Sequence, residues 1–529
     1  MKPITLTQTQ LIIIVCLIFT PFYNYAFALQ TLQAFPPSLS NVAFYFSLFF
    51  VITSLNIFLS TLVSNRFTLK GMFIVIFLVT SMTSYFTNSY GVVMDKPMIR
   101  NLLQTDMHES LDLLSLKQVG YFFLFGLLPS FFIYRVNLVK RTFKKELLTK
   151  LKLALFSLLF LAANIFAFSQ HYTSFFREYG ELRTYINPTY WIYNSVAYAY
   201  ATDYSKIVAQ PIEDDAKLRD QNGSRKLLIM VVGEAARADH FSLNGYKRET
   251  NPLLKKEDII NFSDVSSCGT STAYSVPCMF SVLERSDYDY KGGISNENVL
   301  DVLNHTGDIS ILWRDNNSNS KGVALRVPYE DYKSSPPNTI CEDGECRDVG
   351  MLVGLDKYIA DSKKKDIIIV LHQMGNHGPA YYKRYPEAFK KFTPVCKTNQ
   401  LEECSKESIQ NAYDNALLYT DYFLSQTINF LKKYDDRFET GLFYMSDHGE
   451  SLGENGLYLH GIPYSVAPDA QTKIGAFIWL GKKTQEQIDS EKLLQKSRKS
   501  YSHDNLFHTL LGFFGVETKV YKKDMDILK

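Results

Sequence analysis

Five apolar runs fall within the first 170 residues, at about 11 to 29, 43 to 63, 71 to 86, 118 to 134 and 151 to 169. A helix needs roughly 20 residues to cross the hydrocarbon of a bilayer, and the shorter runs can borrow from their flanks, so the pattern predicts five membrane-spanning helices. The run at 71 to 86 carries several Ser and Thr and is the one a buried soluble helix would also explain. A cleaved leader is the alternative for the first run. No small-residue cleavage pattern is clear, and four further runs follow, so it reads as an anchor.

Between runs three and four, residues 87 to 116 form a polar segment in which Asn101, Thr105 and Glu109 recur at i, i+4 and i+8, one face of a helix. From 171 to about 225 the chain is rich in Tyr and Phe and reads as an irregular arm at headgroup level. Then the period changes. KLLIMVVGE at 226–234, ISILWRD at 309–315, KDIIIVLHQMG at 365–375 and TGLFYMSDHGE at 440–450 are short continuous apolar stretches ending in polar turns. The segment at 411–434 has helical periodicity. Such strands separated by helices predict an α/β domain with a parallel sheet covered on both faces, whose ligands bind beyond the carboxyl ends of the strands. The expected organisation is a five-helix transmembrane domain at 1–170, a membrane-surface linker at 171–225 and a soluble α/β domain at 226–529.

Composition agrees with a chain partly in lipid: 46% of residues are hydrophobic, with 38 Phe and 34 Tyr. The net charge of +2 gives no argument for nucleic acid, and its distribution says more. Arg135, Lys140, Arg141, Lys144, Lys145, Lys150 and Lys152 cluster around the connection between runs four and five, and Arg66 and Lys70 lie between runs two and three; residues 30–42 carry no charge. The positive-inside rule then puts the N-terminus in the cytoplasm and everything beyond 170 on the outer face. Six of the seven cysteines lie there, as the near neighbours Cys268 and Cys278, Cys341 and Cys346, and Cys396 and Cys404. Neighbour pairing as disulfides is the simplest of the fifteen possibilities in an oxidising compartment, and no CxxC pair suggests a cysteine metal site.

The strand ends carry the candidate chemistry. The first delivers Glu234, the third His372 and then His377, the fourth Asp447 and His448. Carboxylates and imidazoles gathered at one end of a sheet suit a zinc ion, which can bridge a nucleophile and a phosphoryl oxygen. No GxSxG elbow and no CxPxR or SxPxR run is present, which disfavours a serine-hydrolase triad or a matured sulfatase residue. The segment SCGTSTAYSVPCM, 267–279, offers Thr270, Ser271, Thr272 and Ser275 as hydroxyl nucleophiles inside a cysteine staple, and composition does not choose among them. His503 and His508 read as packing or capping residues, and Glu450 and Glu454 as ordinary polar loop residues.

Taken in order, GEAARADH, SCGTSTAYSVPCMF, WRDNNSNSKGV, HQMGNHGPAYYKRY, NAYDNALLYTD and SDHGESLGENGLYLHG resemble the lipid A phosphoethanolamine transferases, most closely the mobile colistin resistance branch. The resemblance covers essentially the whole chain and implies an α/β/α sandwich of the alkaline phosphatase and sulfatase type on the periplasmic side of a Gram-negative inner membrane. It implies Thr272 as nucleophile, held on zinc with Glu234, Asp447 and His448, and His377 and His460 on phosphoryl oxygens or a second zinc. It also implies Asn316, Asn317 and Lys321 as phosphate-side contacts, and Asn101, Thr105 and Glu109 as contacts to the donor.

The implied reaction moves phosphoethanolamine from phosphatidylethanolamine to a lipid A phosphate, through Thr272, and confers polymyxin resistance. Donor, acceptor and membrane lipids are the expected partners, with no nucleic acid and no obligate protein. A related transferase with a glycan or other envelope acceptor, a metal-dependent phosphodiesterase and a non-catalytic scaffold are the alternatives.

Overall fold

The computed structural model describes residues 4–35, 37–104, 113–201, 209–219, 223–342 and 344–529. The chain divides into two compact units, Met1–Ile99 with Leu114–Tyr198, and Arg100–Leu113 with Ala199–Lys529.

The first unit is helical. Helix α1, Gln8–Tyr23, starts at a capping box in which Thr7 Oγ1 accepts from the Gln10 amide and Gln10 Oε1 accepts from the Thr7 amide. It contains Pro21 and meets α2, Tyr25–Ala34, at a 59° bend. Helices α3, Leu39–Val63, and α4, Leu69–Tyr90, are long and apolar, and Gly91 ends α4 at φ 73°. Helix α5, Lys96–Gln104, follows, and the boundary between the units falls inside it. Helix α6, Leu116–Arg135, holds a π turn at Phe122–Leu127, where Gly126 permits close approach: a Cβ there would stand 2.7 Å from Ser81 Oγ. Helix α7, Phe143–Ala167, packs along α3.

Four helices are thus long and apolar enough to cross a membrane, or five if the bent α1–α2 pair is one span, in keeping with the five apolar runs. Much of the segment expected to be an irregular arm is instead helical, as α8, Ser169–Glu178, and α9, Thr189–Ala201. Its mixture of aromatic and polar residues hid the period.

The second unit is built on a seven-stranded sheet. In chain order the strands are β1, Lys226–Gly233; β2, Ile259–Phe262; β3, Ile309–Asp315; β4, Tyr329–Asp331; β5, Asp366–His372; β6, Glu439–Ser446; and β7, Ala476–Leu480, and across the sheet they run β2-β7-β6-β1-β5-β3-β4. The sheet is mixed rather than parallel as expected, because β7 runs antiparallel to both β6 and β2. Both faces of β1 are covered: Leu228, Met230 and Val232 join one core with Leu506, Phe507 and Leu510 of helix Asp504–Phe514, and Leu227, Ile229 and Val231 are equally buried. Full burial of each such side chain contributes about 2 kcal/mol.

The central register decides where the site lies. Val232 is paired with His372, His372 with Asp315, and Gly233 with Ser446, so the residues that follow β1, β3, β5 and β6 emerge along one edge. β1 is flanked by β6 on one side and β5 on the other, which makes the end of β1 the point where the strand order reverses and a crevice opens.

Candidate active site and metal centre

Glu234 leaves the end of β1 and is followed by Ala235 at φ 53°, a strained conformation for a residue with a Cβ. Three contacts hold that turn. The Ala235 amide donates to Asp447 Oδ1 at 3.2 Å, the Ala236 amide to Ser446 Oγ at 2.8 Å, and Tyr413 Oη donates to the Ala235 carbonyl at 2.7 Å. Gly375, after β5, completes the packing: at φ 47° a Cβ there would meet the Glu234 carbonyl oxygen at 3.0 Å.

The cysteine-stapled segment brings the candidate hydroxyls to the same place. Thr272 opens an eight-residue helix, Thr272–Met279, here α10, and disulfide Cys268–Cys278 closes over it. The four hydroxyls have separate fates. Thr270 Oγ1 donates to the Ile462 carbonyl at 2.7 Å, Ser275 Oγ donates to the Asp447 carbonyl, and Ser271 is the N-cap without a side-chain capping bond. Thr272 Oγ1 lies 3.2 Å from Glu234 Oε2 and 3.2 Å from His448 Nε2.

Five atoms converge here, and their proton count is informative. His448 Nδ1 donates to the Gly449 carbonyl at 2.8 Å, so Nε2 presents a lone pair. Burial holds the imidazole well below its usual pKa, which keeps that lone pair free of a proton, and raises the Asp447 carboxyl. Nε2 lies 3.3 Å from Asp447 Oδ2 and 3.6 Å from Glu234 Oε1, and Asp447 Oδ2 is buried with no hydrogen-bond partner among the described residues. One threonine proton cannot serve this many acceptors. Glu234, Asp447 and His448 form a group able to hold a metal ion, and the donor set fits zinc.

A second ring of groups orients the first. Asn317 Nδ2 donates to Glu234 Oε2 at 2.9 Å and to the Gln373 carbonyl at 2.9 Å. Asn316 serves another role: its Nδ2 donates to Asp348 Oδ1 at 2.8 Å and to the Cys346 carbonyl at 3.0 Å. Asp348 also accepts from the Met374 and Gly375 amides, so one buried carboxylate ties the loop after β3 to the loop after β5. Lys321 is buried at 3% exposure and φ 48°, so its loop position does not make it a solvated charge. His372 hydrogen-bonds Asp315 through Nδ1 at 3.0 Å, while its Nε2 is buried without a partner among the described residues.

His460 lies with its ring centroid 4.2 Å from that of His448 and 6.3 Å from that of His377. Glu450, read from the sequence as an ordinary loop residue, is fully buried. Its Oε2 pairs with His460 Nδ1 at 2.8 Å and its Oε1 accepts from Tyr381 Oη at 2.6 Å, and His448, Glu450 and His460 form a second group able to hold a metal ion. Its place two residues beyond His448 in SDHGE was the available signal. Glu454 is likewise engaged, pairing with the buried Arg237.

His503 is a pin. The Cys268 amide donates to its Nδ1 at 3.0 Å and its Nε2 donates to the Ser446 carbonyl at 2.9 Å, which fixes one neutral tautomer between the staple and β6. The three neighbour cysteine pairs are disulfides, and Cys16 is free and buried. Asn101 lies in α5, whereas Thr105 and Glu109 lie outside the described residues.

Comparison with known proteins gives a consistent result. The sulfatase family matches residues 226–516, and the family described as phosphoethanolamine transferase EptA/EptB matches residues 51–202. Phosphatidylethanolamine transferase Mcr-1 of Escherichia coli is 45% identical over 95% of this chain and 94% of its own. The integral membrane lipooligosaccharide phosphoethanolamine transferase A (EptA) of Neisseria meningitidis superposes with a TM-score of 0.95 at 36% identity, covering 99% of both chains. A periplasmic domain of EptC from Escherichia coli, solved in complex with zinc, covers 61% of this chain and 90% of its own at 22% identity and a TM-score of 0.50, a likeness of fold.

Proposed function

Since the chain belongs to the EptA and Mcr family of phosphoethanolamine transferases, we propose that it moves phosphoethanolamine from phosphatidylethanolamine to a lipid A phosphate through a covalent intermediate on Thr272. The observation that carries this reading is the convergence of Thr272 Oγ1 with Glu234 and His448 at 3.2 Å each. Glu234, Asp447 and His448, with the Thr272 oxygen, would hold zinc. When bound, zinc supplies Lewis-acid chemistry, lowering the pKa of a hydroxyl and drawing charge from phosphoryl oxygens.

The rest falls to the side chains. Thr272 Oγ1 attacks the phosphorus of the donor, the phosphorus–oxygen bond to diacylglycerol breaks, and the departing oxygen takes up a proton in place of the one the hydroxyl lost. An oxygen of a lipid A phosphate then attacks the same phosphorus, the bond to Thr272 breaks, and the threonine oxygen takes up the proton that the attacking P–OH gives up. Glu450 holds Nδ1 of His460, so a contact of that ring with the transferred group is made through Nε2. His377 and His460 are assigned to the phosphoryl oxygens or a second zinc, Asn316, Asn317 and Lys321 to the phosphate side, and Asn101, Thr105 and Glu109 to the donor. For Asn316 and Asn317 the hydrogen bonds to Asp348 and Glu234 favour an indirect part, in which each amide orients a group that acts on substrate.

The protein is an integral membrane protein with a periplasmic catalytic domain, and the distribution of basic residues between its connections supports a cytoplasmic N-terminus. Adding an ammonium group beside a lipid A phosphate offsets negative charge, so polymyxins bind more weakly and cells resist colistin. Mass spectrometry of lipid A from a Gram-negative host expressing the protein tests the reading. Wild type should add the phosphoethanolamine mass and Thr272→Ala should not; a wild type that adds none defeats the acceptor assignment, and an active Thr272→Ala defeats the nucleophile.

A further inference from the structure

The two basic connections of the helical unit meet around one cavity. It has a volume of about 790 Å³ and is walled by the end of α3 with the turn after it, by residues 138–141 and by residues 143–154 of α7. Four cations line it, Arg66, Lys140, Arg141 and Lys150, against one acid, Glu146, a net charge of +3 among the described residues. The acid is turned inward: both Glu146 carboxylate oxygens are buried, whereas Arg66, Lys140 and Arg141 are exposed.

Other groups hold the two connections in place. Residues 5–6 pair in parallel with residues 137–138, the Asn137 amide donating to the Ile4 carbonyl at 2.8 Å and the Val139 amide to the Leu6 carbonyl at 2.9 Å. Lys70 Nζ donates to the Tyr134 and Val136 carbonyls at 2.6 and 3.0 Å. Asn65 Oδ1 accepts from the Phe67 and Thr68 amides at 2.8 and 3.2 Å, and Lys150 Nζ donates to the Ser64 carbonyl. None of these ties uses Arg66, Lys140 or Arg141. Arg66 stacks on Phe67 with its guanidinium carbon 4.7 Å from the ring centroid, and all three cations lack a hydrogen bond or ion pair among the described residues.

Three unpaired cations fixed around one cavity repel one another, and an anion between them relieves that cost. A phosphate ester matches guanidinium and ammonium donors well. A lipid headgroup and a soluble phosphate both carry this chemistry. The same cavity has an apolar wall, in which Leu147 and Leu151 stand one turn apart on α7 beside Leu62, and an acyl chain covers such a wall where a soluble phosphate does not. By the charge rule this end of the unit faces the cytoplasm, where anionic phospholipids give the membrane a negative surface and basic pockets between helices take up their headgroups. Phe67 and Phe143, 81% and 79% exposed at the rim, suit headgroup level.

We propose that this cavity binds an anionic glycerophospholipid, with its phosphate among Arg66, Lys140 and Arg141 and an acyl chain along Leu147 and Leu151. Such a lipid bridges the connection that follows α3 to the one that precedes α7. The site belongs to the helical unit alone and does not depend on the transferase reading.

Native mass spectrometry of the full chain in detergent tests it. Dioleoyl phosphatidylglycerol is the probe, and dioleoyl phosphatidylcholine, which has no net charge, is the reference for binding elsewhere on the protein. One variant combines Arg66→Gln, Lys140→Gln and Arg141→Gln. A control combines Lys144→Gln, Lys145→Gln and Lys152→Gln, which removes the same charge from positions outside the cavity. All six side chains are exposed, so both proteins should fold. The cavity variant should bind phosphatidylglycerol about tenfold or more weaker than wild type, with phosphatidylcholine within about twofold, and the control should stay within about threefold of wild type for both lipids. A wild type with no preference for phosphatidylglycerol, a cavity variant that keeps its affinity within about twofold, or a control that loses as much as the cavity variant would overturn the site, the last by showing a general attraction to basic surface. Displacement of phosphatidylglycerol by millimolar inorganic phosphate, beyond the effect of sodium chloride at equal ionic strength, would make the occupant a soluble anion and overturn the lipid.

Discussion

The amide of Asn317 shows how one side chain sets the chemistry of another. Glu234 follows directly on the end of β1, and its Oε2 faces both the Thr272 hydroxyl and the Asn317 amide, which Gln373 in turn holds in place. Groups that orient a metal ligand typically matter by ten- to a hundredfold in affinity. Asn317→Leu, which keeps the bulk and removes the donor, should therefore weaken zinc by about tenfold or more in competition with a chromophoric chelator. An affinity within twofold of wild type would make Asn317 a phosphate contact, as the resemblance implies, rather than an orienting group. Sequence could name Asn317 but not tell these roles apart, because the distinction lies in which atom stands 2.9 Å away across 83 residues of chain. Glu450 escaped for a related reason: a Glu in a polar loop carries no mark of burial, and only the folded loop encloses it between His460 and Tyr381.

At the scale of elements, the site depends on the ends of four strands and on one short helix held against them. His503 spans this junction, bonded to the staple and to β6. Burial pushes its pKa down to about 4, below the ordinary 6.5. A depressed folded pKa means that the stability from the neutral ring is present above about pH 6.5 and is lost as pH falls through about 4, a change of about 3 kcal/mol over the full titration. Asp421 works in the other direction: burial lifts it to about 7, so its favourable protonated state is lost as pH rises through that value. Comparing variants isolates the histidine. The drop in Tm caused by His503→Asn should be large at pH 7.5 and distinctly smaller at pH 5, measured by circular dichroism on the same preparation. An equal drop at both values would show that His503 does not titrate with folding. The helical period around 411–434 and the four strands were legible as patterns, whereas the antiparallel β7 was not, since an apolar run reads the same in either direction.

For the whole molecule, the question is which side of the membrane each segment occupies. The basic residues around 135 to 152 and the uncharged 30–42 connection predict opposite sides. In intact spheroplasts a membrane-impermeant maleimide should label Gln33→Cys and leave Arg141→Cys unlabelled until the cells are lysed. The reverse pattern would invert the topology and put the disulfides in a reducing compartment. Charge distribution and cysteine pairing are independent properties of the chain, and they agree on this orientation.

The sequence by itself determined the apolar runs, the bias of charge between connections, the near pairing of cysteines and the types of residue at strand ends, since each of these is a local property with a local period. It could not choose among Thr270, Ser271, Thr272 and Ser275 on composition, because four hydroxyls in six residues are chemically alike. Tertiary structure sets them apart by geometry: the turn into α10 sends one hydroxyl to a loop carbonyl, one to the backbone of Asp447 and one to Glu234 and His448, and the proposed role of Thr272 rests on that last placement. It likewise decided that Arg66, Lys140 and Arg141 line one cavity, because a shared cavity belongs to the packing of distant segments and leaves no period in the chain.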